Sequence, residues 1–143
     1  MILVDANLLI YAVNQDSAHH RKARRWLEET LSGDDWVGLT PAVILAFLRI
    51  VTRPGILQRP LSCEQAVAYC DSWIAQPNVR VVPVGPNHWS VFRSLVLAAG
   101  TAGNLTSDAH LAAVAVEHGC TLHSADNDFK RFAGLTHRNP LVS

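Results

Sequence analysis

Three short apolar runs, Ile2–Val4, Trp36–Leu39 and Val79–Val84, are each followed by a stretch with helical spacing, a fourth strand is expected at Thr121–Ser124 after an Ala-rich helix, and this alternation constrains the fold most. Ile2, Leu3 and Val4 carry no polar residue between them, the pattern of a strand buried on both faces. Such strands joined through helices predict a parallel sheet with helices on both faces, an α/β architecture. The 143 residues are of single-domain length, and the 49% hydrophobic content suffices for one core. The expectation is one domain over residues 1–143, with no internal repeat, linker or low-complexity tract.

The intervening segments carry their own punctuation. Leu8–Val13 reads as a short helix and His19–Leu31 as a longer one, basic at its start through Arg21, Lys22, Arg24 and Arg25. Thr40 before Pro41 is a helix start, because a side-chain oxygen can cap free amides and the ring fixes the first helical φ. The helix to Val51 buries Val43, Ile44, Phe47, Leu48 and Val51, and Pro54 with Gly55 ends it. Ser62 with Gln65 fits a reciprocal cap for a helix through Ile74. Gly85–Asn87 opens another through Val96. An Ala-rich helix follows, with Asp108 in its first turn and Gly119 as its stop. An edge strand is expected within Leu135–Leu141.

Charge and cysteine content exclude several classes. Twelve basic and twelve acidic residues give zero formal net charge, so any nucleic-acid site must be local and no general field favours a membrane surface. Cys63 and Cys70 fall seven apart on one predicted helix, about 10 Å along its axis, too far to bridge. With Cys120 the count is odd. There is no C-x-x-C, no cationic leader and no apolar run able to span a bilayer, so the expectation is a cytosolic chain with reduced thiols.

The chemistry is expected at strand ends. Asp5 follows the first strand, Asp126 follows the fourth, and Asp108 begins the helix that feeds the fourth. In a parallel sheet all these positions lie on one edge, where open α/β sheets bind ligands. Close carboxylates raise one another's pKa unless a cation neutralises them, and oxygen-only ligands select Mg²⁺ or Mn²⁺ over zinc. The helix amino end is expected to keep Asp108 ionised. Taken singly, Asp108 reads more readily as an ordinary first-turn acid, and Asp126 with Asp128 as turn residues, than as ligands. Asp5 is harder to dismiss, because a charge after a buried strand is costly unless paired or coordinated. Asn7 is expected to orient a ligand or cap the next helix. The seven histidines show no ligand spacing, and His110 and His123 are expected to point away from the acids or to satisfy backbone carbonyls.

In order and spacing, V-D-A-N at 4–7, N-L-T-S-D-A-H-L-A at 104–112 and S-A-D-N-D-F at 124–129 resemble the PIN-domain ribonucleases of the VapC toxin type. Each motif is weak alone, and the three together are specific. The resemblance implies a PIN-like fold, a Mg²⁺- or Mn²⁺-dependent endoribonuclease that cleaves RNA and inhibits translation, a VapB-type antitoxin as partner, and a homodimer. It implies Asp5, Asp108 and Asp126 as the catalytic, metal-holding acids, with Asn7 and Asp128 supporting them. Family members place a Glu on the helix after the second strand, where this chain has Ala46, which puts a strict two-metal mechanism in doubt. Arg21, Arg24, Arg25, Arg49 and Arg53 are candidates for RNA phosphates or for the antitoxin interface. The alternative is a non-catalytic PIN-like domain that binds RNA or protein, with Ala46 as its motive. A receiver-like phosphoacceptor would need a strand-end Lys, and Lys22 and Lys130 are not so placed.

Overall fold

The computed structural model describes residues 1–142. In chain order the elements are β1 (Ile2–Val4), α1 (Ala6–Val13), α2 (His20–Leu31), β2 (Val37–Leu39), α3 (Pro41–Thr52), α4 (Cys63–Ile74), β3 (Val79–Val81), α5 (His88–Ala99), α6 (Thr106–His118), β4 (Thr121–His123) and β5 (Thr136–Arg138). The strands form one sheet in the order β3-β2-β1-β4-β5. Every pairing is parallel, with Leu3 beside Gly38 on one side and Leu122 on the other.

The chain therefore steps outward from β1 through β2 to β3, then crosses back to β4 and steps outward again. Right-handed crossovers in opposite directions place their helices on opposite faces. Accordingly α1 packs on α2 and α3, and α3 on α4, while α5 and α6 form a separate pair. The reversal falls between β1 and β4, which opens a crevice at their carboxyl ends.

Local chemistry explains the boundaries. Thr40 Oγ1 accepts from the Val43 amide at 3.1 Å, and Ser62 and Gln65 cap each other reciprocally. Arg53, ahead of Pro54, is extended, as the proline ring requires of its predecessor. Gly119 ends α6 at φ 66°, a conformation that a side chain would strain. Three expectations shift. α1 starts at Ala6 rather than Leu8, because Asp5 caps it. Trp36 lies outside β2, under the Arg80 guanidinium. β3 stops at Val81: Val82 still donates to Leu39, but Pro83 has no amide to continue the ladder.

The core lies where the two helical groups meet the sheet. Leu3, Val4, Leu8, Leu9, Val37, Phe47, Val51, Val114, Leu122 and Phe129 are fully buried, and the alanines of α6 let that helix sit close against β4. Of the predicted α3 stripe, Val43, Phe47 and Val51 are buried, and Ile44 and Leu48 are half-buried. The three cysteines are free thiols, with Cys70 and Cys120 buried. No helix among the described residues is long and apolar enough to cross a membrane.

Candidate active site

Asp5 is the first residue beyond β1, and its side chain is held from two directions. Oδ1 accepts from the Ala6 amide at 2.7 Å, so the carboxylate caps α1. Oδ2 accepts from the Ser124 hydroxyl at 2.7 Å. Ser124, one residue beyond β4 and fully buried, is a hub that sequence reasoning missed. Its Oγ also accepts from Asn7 Nδ2 at 3.2 Å and from the Asp126 amide at 3.0 Å. One hydroxyl thus ties together the residues after β1 and those after β4, across the crevice where the strand order reverses.

The segment around the hub is braced on all sides. Asn7 Oδ1 accepts from the Ala125 amide at 3.3 Å, and Asn139 Nδ2 donates to the Ala125 carbonyl at 3.3 Å. His137 Nε2 donates to the Ser124 carbonyl at 3.0 Å. Asn7 therefore ties the start of α1 to the segment after β4 rather than capping a helix, which Asp5 itself does. The Asp126 carboxylate accepts from the Asp128 amide at 2.9 Å, so Asp128 contributes through its backbone, with its side chain exposed. The signal that could have found Ser124 is its place: a hydroxyl ending a buried strand must find a partner.

Asp108 reaches the same edge from the first turn of α6. Its carboxyl is pushed up to about 6 by burial first, then by the charges of Asp126, Asp5 and Asp128. This corrects the expectation that the helix amino end would keep it readily ionised: desolvation and three like charges outweigh the dipole. Burial also raises Asp5, helped by Asp126 and opposed by the hydrogen bonds from Ser124 and Ala6 and by His137. The three acids are thus close enough to act on one another. They flank the crevice rather than meet at a point: among the described residues no three His, Cys, Asp or Glu side chains form a ready chelate. The donor set fits a hard divalent cation, being all oxygen and carrying negative charge that no Lys or Arg salt bridge neutralises among the described residues.

Asp5 and Asp108 line a cavity of about 570 Å³ that Ala46 and Arg49 of α3 also line. Ala46 therefore lines the same cavity as two of the acids. Of the arginines singled out, Arg49 reaches this cavity, whereas Arg24 pairs with Glu28 at 3.0 Å on the solvated face of α2. Arg21, Arg25 and Arg53 are exposed and outside the cavity lining. His110 does not point away: it lines the cavity, edge to face with His88. His123 packs against Trp26, with ring centroids 5.5 Å apart.

The family profile described as PIN domain matches residues 2–135. Ribonuclease VapC33 of Mycobacterium tuberculosis is 42% identical, over 99% of this chain and 99% of its own. Ribonuclease VapC37 of the same organism is 43% identical, over 98% and 97% respectively. Among solved structures, VapBC2 from Rickettsia felis, bound to a DNA fragment from its promoter, has a chain that superposes with a TM-score of 0.74 at 18% identity. That match covers 97% of this chain and 98% of the other.

Proposed function

The chain belongs to the PIN-domain family, among the VapC ribonucleases, and we propose that it is the toxin endoribonuclease of a VapBC-type pair, cutting RNA at the crevice that Asp5, Asp108 and Asp126 flank. The observation that carries this is the Ser124 hub, which locks Asp5 and the Asp126 backbone into one unit beside an uncompensated Asp108. A rigid group of carboxylates at a strand-order reversal is suited to holding hard cations against a phosphodiester.

Asp5, Asp108 and Asp126 would hold Mg²⁺ or Mn²⁺, which supplies Lewis-acid activation of a water and neutralises charge on the phosphate. The chain's own residues set the geometry. Ser124 and the Ala6 amide fix the Asp5 carboxylate, and the Asp128 amide fixes that of Asp126. A carboxylate oxygen of the cluster accepts the proton of the attacking water. With Ala46 in place of a fourth acid, three carboxylates suffice for one ion and leave a second weakly held. A VapB-type antitoxin is the partner, a homodimer is the working assembly, and cleavage of RNA, with inhibition of translation, places the action in the cytosol.

Purified protein freed of any partner should cleave single-stranded RNA in Mg²⁺ or Mn²⁺ and stop on chelation, with activity returning when the ion is restored. RNA that is bound but never cut in either ion would leave the non-catalytic reading standing instead.

A further inference from the structure

The cavity beside Asp5 and Asp108 is much larger than a metal site. Its volume is about 570 Å³, against ~30 Å³ for each water of a hydrated ion. Leading away from Asp108, one wall is a continuous aromatic series. His110 meets His88 edge to face at 4.7 Å, His88 lies nearly parallel to Phe92 at 6.1 Å, and Phe92 is 5.8 Å from Trp89. Trp89 ends the series and is 68% exposed. A lone exposed indole asks for no explanation. This one closes a series that begins two residues from an acid of the site.

The facing wall is α3. Ala42 and Ala46 keep it shallow, and Arg49 brings a cation that is in no ion pair among the described residues. A nucleotide next to the scissile phosphate has the matching chemistry: a flat base for an aromatic face and an anionic phosphate for a guanidinium. Bases inside a duplex already stack on one another and have no free face to give, so the match is to single-stranded RNA.

We propose that this groove seats an unpaired nucleobase adjoining the cleaved phosphodiester, with Trp89 as its stacking face and Arg49 on that nucleotide's phosphate. The inference rests on the ribonuclease reading and names the residues of this chain that seat the RNA. Trp89 and Arg49 act in binding and positioning the RNA, so their loss falls on KM more than on kcat.

The test is fluorescence anisotropy of a short labelled single-stranded RNA of mixed sequence in Ca²⁺, using the parent protein, Trp89→Ala, Trp89→Phe and Arg49→Ala, beside cleavage kinetics in Mg²⁺. Trp89→Ala should weaken binding about tenfold, the scale of one base–aromatic stack. Trp89→Phe, which keeps an aromatic face, should recover most of it. In cleavage the same factor should appear in KM. Unchanged RNA affinity in Trp89→Ala overturns the proposal, as does equal loss in the Ala and Phe variants, or a parent protein that binds no RNA. Loss of antitoxin binding with RNA affinity intact overturns it as well and makes the groove a protein-docking surface. Trp89-dependent RNA binding without cleavage in any divalent ion would support the groove while refuting the ribonuclease reading.

Discussion

Two clefts of similar size lie on this molecule, and each contains an aspartate. The larger, about 640 Å³, holds Asp16, whose carboxylate receives both arms of the Arg59 guanidinium at 3.1 and 2.8 Å. That pairing holds the Asp16 carboxyl below its ordinary value. The other, about 570 Å³, holds Asp5 and Asp108 near Asp126, and burial and like charge push the Asp5 and Asp108 carboxyls up. Volume alone favours the first. Uncompensated charge marks the site, because a fold that tolerates it without a basic partner has kept the place of that partner open for a ligand.

The contrast is most strongly tested by neutralising one acid in each cleft. Asp108→Asn should lower kcat/KM for RNA by about 2 to 4 kcal/mol of transition-state stabilisation, the scale of one preorganised electrostatic contributor, while Asp16→Asn should leave it unchanged. Equal cleavage by Asp108→Asn and the parent would remove Asp108 from the site. Next in size is the hub. Ser124→Ala withdraws the hydrogen bond to Asp5 and strands Asn7 and the Asp126 amide in a half-buried place, so it should cost about 1 to 3 kcal/mol in urea unfolding. It should also reduce turnover, whereas Arg59→Ala, at an exposed pair, should leave turnover unchanged.

The two clefts should also respond to pH with opposite signs. Asp108 titrates from 3.8 when unfolded to about 6 when folded, so between these values the folded state binds more protons. Its contribution to stability therefore falls as pH rises through that window. After allowance for solvent screening, metal-free Asp108→Asn should melt as the parent does at the acid end and be favoured by about 1 to 2 kcal/mol above the window. Mn²⁺ should shrink that advantage. Asp16, lowered by Arg59, has its contribution present above its ordinary value and lost as pH falls through the folded one. Thermal melts of both Asn variants against pH separate the two signs.

The smallest effect concerns α3. Ala46→Glu adds a carboxylate facing Asp5 and Asp108 in an open cavity, and calorimetry should show Mn²⁺ bound on the order of tenfold more tightly. A folded variant with unchanged affinity rules out Ala46 as the vacant acid position. One that only melts earlier shows that the cavity cannot hold a further charge there.

Sequence alone carried the sheet, the helix caps at Thr40, Ser62 and Gly119, and the arrival of Asp5, Asp108 and Asp126 at one edge. These follow from local rules: apolar runs of strand length, side chains that cap their own helix, and a parallel sheet whose strand ends all face one way. It did not carry Ser124, His137 or Asn139, which brace the acid-bearing segment. Nor did it carry the turn of His110 toward the cavity or the rise of Asp108 to about 6. Their partners lie far away along the chain, 119 residues in the case of Ser124 and Asp5. A hydrogen bond over that separation, and the desolvation that shifts a carboxyl, exist only once β1 and β4 lie side by side, so only the tertiary structure could decide them.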